Sequence, residues 1–198
     1  MKEAIKDALK TLHEMGNNAE DCISSLQTAF IYNNPKPLND CKLKIEGIKK
    51  KEPQLTKTVA ELVRDNPDMK QYVSVPVHLL RIGENIEKLA ELIDRKAREN
   101  ILFSDRALTE ITFLLQRLID ILRPTSDIIL ARNTILTRYV QESEAGVIRR
   151  AIEYATFHEE RLIEGLCLPV ASSLYISMLD AVKGIAWHAK QIAIKLAE

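Results

Sequence analysis

HEERLIEGLCLPVASSLYISMLDAVKGIAWHAKQIA, residues 158–193, ends one helical pattern, breaks at Leu168-Pro169 and starts another. In the second pattern Tyr175, Met178, Leu179, Val182, Ile185, Ala186, Ala189, Ile192 and Leu196 recur in steps of three and four. Those steps put one apolar or small-residue stripe on one helix face. YVSVPVHLLRIGENIEKLA, residues 72–90, reads as an earlier copy. At an offset of 103 residues Tyr72 meets Tyr175, Ser74 meets Ser177, Ile82 meets Ile185 and Ala90 meets Ala193. Gly83 meets Ala186, small for small. An offset of about half the chain points to a duplicated unit.

The rest of the chain follows the same period. The first helix is predicted over residues 2–32, with Ile5, Leu9, Leu12, Met15, Ala19, Cys22, Ile23, Leu26 and Phe30 on its stripe and Gly16 as its one interior weak point. Asn33-Asn34-Pro35 stops it. A second helix is expected from about Lys36 to Arg64, kinked at Pro53. After the Asp65–Asp68 turn a third runs to about Glu99, with Pro76 either kinking it or marking where it becomes regular. Ile101-Leu102-Phe103 links the halves and Ser104 caps a fourth helix, in which Leu108, Ile111, Leu115, Leu118 and Leu122 keep a seven-residue repeat. Pro124 is expected to kink that helix, and Asn133 to cap a fifth that runs to about Gly165. The fold class is therefore all-α: two tandem three-helix repeats of up-down helices, residues 1–100 and 101–198. Leu9, Ile23, Ile82, Ile86, Leu115, Leu118 and Ile185 are its expected core.

Composition narrows the function. Lys+Arg and Asp+Glu are 28 each among 198 residues, so the chain lacks the positive field of a non-specific nucleic-acid binder. Apolar residues at 46% and charged residues at 28% fit a soluble globular protein. Cys22, Cys41 and Cys167 form no CxxC pair and read as buried thiols in a reducing compartment. Charges interrupt the N-terminal apolar residues, and no apolar run nears the ~20 residues of a membrane span. The chain is expected to be cytoplasmic, peripheral to a membrane at most.

Candidate chemistry is sparse. His158-Glu159-Glu160 begins like HExxH, but Leu162 stands where the second histidine belongs, which leaves a polar helix face. Ser172-Ser173 lacks a GxSxG elbow and reads as a cap for the sixth helix. Trp187-His188 reads as a partly exposed aromatic pair. Glu84, Glu87, Glu91 and Asp94 alternate with Arg81, Lys88, Arg95 and Lys96 and read as a solvated, ion-paired face. A ferritin-like metal protein needs Glu-x-x-His, and no histidine has a glutamate three residues before it. No glycine-rich phosphate loop occurs, and no catalytic residue is assigned.

HxERL at 158–162, EGxCxP at 164–169, Ser173-Leu-Tyr-Ile176, the close at Ile185–Ala193 and Arg81-Ile-Gly-Glu-Asn-Ile86 resemble the PhoU-like family, above all the soluble domain of bacterial sodium/phosphate cotransporters. Phe103-Ser104 fits the start of its second repeat. The resemblance spans essentially the whole chain. It implies a non-enzymatic accessory or regulator of phosphate transport or signalling. Its implied partners are a transporter component or a sensor kinase. Many members hold iron or zinc clusters through i, i+4 carboxylate pairs on the second and third helix of each repeat. Here those positions are Lys42/Glu46, Leu80/Glu84, Glu144/Ile148 and Lys183/Trp187: three carboxylates in eight, and no intact pair. Glu46, Glu84 and Glu144 are vestigial candidates, and no cofactor is expected. With cation sites lost, binding falls to helix surfaces. Trp187, with His188, Lys183 and Lys190 around it, reads either as an apolar anchor rimmed by cations that suits a partner helix or a second copy in a homodimer, or as a packing lid lying flat over Ala186 and Lys183. The alternative function is an interaction module for a different partner on the same scaffold.

Overall fold

In the computed structural model, which describes residues 2–197, six long helices follow one another. They are α1 (Lys2–Ile31), α2 (Leu38–Asp65), α3 (Val75–Arg98), α4 (Asp105–Ala131), α5 (Thr134–Ile163) and α6 (Pro169–Ala197). The 3₁₀ segment Pro67–Tyr72 lies between α2 and α3. No strand occurs among the described residues.

The boundaries follow local chemistry. Ser104 Oγ accepts from the Ala107 amide at 3.3 Å, and Asn133 Oδ1 accepts from Ile135 and Leu136 at 2.9 and 3.2 Å, so both expected caps form. Arg132 ends α4 in the left-handed region at φ 48°. Three edges differ from expectation. Asn34 Oδ1 takes the Lys36 amide at 3.1 Å and closes a turn, so α2 starts only after Pro37. Asn66 Oδ1 takes the Asp68 amide, and the chain runs as 3₁₀ before Pro76 opens the regular helix at its second residue. The fifth helix stops at Ile163, before Gly165, whose φ is +73°. Pro53 and Pro124 end neither α2 nor α4. Beside Pro124, the hydroxyls of Thr125 and Ser126 donate to the carbonyls of Ile121 and Leu122 at 2.7 and 3.1 Å.

The two three-helix units share one core. Helices α1, α3, α4 and α6 are its inner members; α2 covers α1 and α3, and α5 covers α4 and α6. The heaviest contacts are α1 on α4 and α3 on α6, each joining one half to the other. Ile23, Ile82, Ile86, Leu115, Leu118 and Ile185 are fully buried. Leu9 and Leu108 are corrections: both are half-buried at the core's edge, because they flank the stripe of their helices and do not lie on it. Gly16 is a point of close approach. A Cβ there would lie 2.3 Å from Ser126 Oγ, so the weak point of the α1 pattern is where α4 packs against its backbone. Gly184 does the same for α6, where a Cβ would meet Asn85 Oδ1 at 2.7 Å.

Candidate functional site

The three vestigial carboxylates do not converge. Glu46 is exposed on α2, 3.9 Å from Lys50. Glu84 on α3 pairs with Arg81 at 2.8 Å. Glu144 on α5 is buried, and the ammonium of Lys190 on α6 donates to it at 2.9 Å. A lysine thus supplies from within the chain the positive charge that a cation would bring. With Lys42, Leu80, Ile148, Lys183 and Trp187 at the remaining positions, this donor set does not fit a multinuclear cluster, which needs several oxygens around each ion. The acidic ladder of α3 is an ion-paired face, with Arg81–Glu84, Lys49–Glu87 and Arg98–Asp94 all within 3.0 Å; Lys96 is a correction, being buried over the Phe30 and Phe103 rings and donating to Asn33 Oδ1 at 2.9 Å.

The Trp187 neighbourhood is organised by a residue that sequence reasoning did not single out. His78 of α3 and His188 of α6 meet Nδ1 to Nδ1 at 3.0 Å. Trp187 is 46% exposed and packs its ring edge against both imidazoles, with centroids 4.7 Å from His188 and 6.1 Å from His78. Burial, then His78 and Arg81, push His188 down to about 4. Burial and Lys195 push His78 down too. Both imidazoles are therefore neutral at pH 7, one donating and one accepting across the seam. Lys183 pairs with Asp180 at 2.8 Å and Lys190 with Glu144, so the two cations beside Trp187 already hold partners. His78 and His188 are 110 residues apart, and only the packing of α3 on α6 makes them a pair.

A second cluster closes the α5–α6 joint, and here two expectations fail. His158 does not lie on a polar face. It is 2% exposed, stacks on Tyr175 with centroids 4.4 Å apart, and shares a 2.8 Å hydrogen bond with Ser172 Oγ. Ser172 is therefore engaged with His158 and does not cap α6, while Ser173 donates to the Val170 carbonyl. The cause is Glu110 on α4, a buried carboxylate that recruits polar groups from two other helices. Arg161 of α5 donates to both its oxygens at 3.2 and 2.9 Å, Arg106 to one at 3.2 Å, and the Tyr175 hydroxyl of α6 also donates to it. Burial and the adjacent carboxylate push the Tyr175 phenol well up, and burial and Arg161 push His158 down. A cavity of about 160 Å³ opens beside them, lined by Phe103, His158, Cys167 and Tyr175, with exposed Leu102, Leu166 and Leu168 at its rim. Cys22 and Cys41 are buried as expected. Cys167 is only half-buried, because it sits in the short joint and not on a helix stripe.

This architecture, two three-helix units sealed along α1–α4 and α3–α6, is the PhoU fold. The crystal structure of PhoU from Pseudomonas aeruginosa matches with a TM-score of 0.90 at 16% identity, over 98% of this chain and 96% of that one. A PhoU-like phosphate regulatory protein from Shewanella oneidensis matches with a TM-score of 0.63 at 17% identity, over 96% and 97%. At these identities the likeness establishes the fold. No family model and no curated protein matches the sequence. Among the described residues no helix is long and apolar enough to cross a membrane.

Proposed function

We propose that the chain is a non-catalytic accessory or regulatory protein of phosphate transport or signalling, working in the cytoplasm. It acts through helix-surface contacts with a transporter component or a sensor kinase, and as a homodimer. The observation that supports this reading is the match to PhoU structures over 96–98% of this chain. The carboxylate positions bear on mechanism. Lysine, arginine and tryptophan in and around them support protein contact as the means of action. Deleting the gene, with and without complementation, tests the reading. Phosphate uptake and the expression of phosphate-starvation genes should both shift and be restored by the intact gene. A deletion that leaves both unchanged removes the phosphate role.

Trp187, flanked by His188 and Lys183, is the proposed anchor. Large exposed aromatics contribute out of proportion to their number when a partner covers them. Trp187→Ala should weaken self-association by more than about 1 kcal/mol, roughly fivefold, with helicity retained. Sedimentation equilibrium alongside circular dichroism reads this directly. Unchanged association, or collapsed helicity, counts against the anchor.

A further inference from the structure

We propose that Cys167 is an oxidation site for small, apolar organic hydroperoxides, with His158 taking the thiol proton and Arg161 donating to the oxygen that the sulfur gains. These residues play no part in the phosphate reading, and the site does not depend on it.

The thiol, an acceptor and an unused donor meet at the α5–α6 joint. Cys167 is half-buried, whereas Cys22 and Cys41 are fully buried on α1 and α2. The Cys167 Sγ lies 4.0 Å from Nδ1 of His158. The other ring nitrogen, Nε2, is 2.8 Å from Ser172 Oγ. With Nε2–H donating to that hydroxyl, Nδ1 keeps a lone pair on the side of the thiol. Burial and then Arg161 keep the ring neutral at pH 7, so that lone pair is available. The terminal nitrogens of Arg161 are bound to Glu110 at 3.2 and 2.9 Å. Its Nε is buried and has no acceptor among the described residues, and the guanidinium also faces Cys167. A buried donor left unpaired is costly. A thiol offers it only a weak acceptor, whereas an oxygen bonded to the sulfur offers a strong one. Positive charge beside a partly exposed thiol is also the setting in which cysteines react.

The cavity sets the class of oxidant. It holds about 160 Å³, and Phe103, Ala107, Leu166, Leu168 and Ala171 give it apolar walls. An apolar cavity of about 150 Å³ accepts a benzene-sized molecule. A compact alkyl group therefore fits, and Cys167 and His158 line the same space. The step balances with the hydroperoxide as the sole co-reactant. The thiol proton passes to His158 Nδ1 as sulfur attacks the terminal peroxide oxygen. An S–O bond forms and the O–O bond breaks. The electron pair of the broken bond leaves on the alkoxide, which takes the proton from His158. Sulfur is oxidised by two electrons to a sulfenic acid, and the hydroperoxide is reduced to its alcohol. The new oxygen then accepts from Arg161 Nε.

The test uses the intact, reduced chain and tert-butyl hydroperoxide. Dimedone traps the sulfenic acid and peptide mass locates it. Cys167 should be labelled, and Cys22 and Cys41 should not. Cys167 should react about tenfold or more faster than glutathione in the same mixture. Hydrogen peroxide has no apolar part and should show a smaller gain over glutathione. A Cys167 rate no faster than that of glutathione overturns the proposal, and so does an equal gain with both peroxides. His158→Gln replaces the proton acceptor with a side chain that cannot be protonated, and should slow Cys167 by about tenfold or more. Cys22 and Cys41 remaining unlabelled would show that the core of this variant stays closed, and an unchanged Cys167 rate in it would also overturn the proposal. If the variant opens and its buried thiols react, the comparison of peroxides on the unaltered chain decides.

Discussion

Tyr72 and Tyr175 stand 103 residues apart at matching places in the two halves, both buried, yet they are held in different ways. Tyr72 donates to a neutral backbone carbonyl, that of Ile129, at 3.1 Å. Tyr175 donates to the buried carboxylate of Glu110, which also carries Arg161 and Arg106. The same offset sets Leu55 against His158 and Thr58 against Arg161. The first half closes its tyrosine with apolar packing and one hydrogen bond. The second holds its tyrosine in a charged network around Glu110. A tyrosine's place on its helix thus fixes where it sits, while its neighbours decide whether it is packing or electrostatics.

That contrast can be broken experimentally. The largest effect should come from Arg161→Ala, which leaves the Glu110 carboxylate buried with only partial compensation and should cost about 3–5 kcal/mol. Urea unfolding gives the value, and a loss below about 1 kcal/mol would mean that Glu110 is not held as a charge. Next comes the pair of tyrosines. Tyr175→Phe removes a bond to an ionised group and should cost roughly 1.5–3 kcal/mol, against roughly 0.5–1.5 for Tyr72→Phe. Equal or reversed losses would erase the distinction between the halves. The smallest effect is in pH. His158 is held below its ordinary value, so below about pH 6.5 the unfolded chain takes up a proton that the folded chain refuses. Stability should fall as pH drops from there toward the lower folded value, then level off. His158→Leu, which copies Leu55, should flatten part of that slope; an identical slope in variant and parent would place the proton elsewhere.

The six helices were legible because their stripes and caps are local: Ser104 and Asn133 cap as their positions in sequence suggest. The helix edges that moved did so for reasons two or three residues long, the Asn34 and Asn66 turns among them. The clusters were not legible, because they depend on which helices meet. Nothing within residues 158–162 tells a reader that Glu110, about fifty positions earlier, turns this polar face inward. Nor does either stretch, 72–90 or 158–193, reveal that His78 faces His188.

The closeness of α1 and α4 at Gly16 also constrains the order in which this sequence can change. An alanine at 16 is a better helix former than glycine, yet it would land on Ser126 Oγ. A lineage that loses the Ser126 hydroxyl first can then accept the alanine; one that takes the steps in the other order passes through a strained ancestor. Two changes that are each small are in this way bound to a preferred sequence in time, set by the 2.3 Å that would separate an alanine Cβ at 16 from Ser126 Oγ.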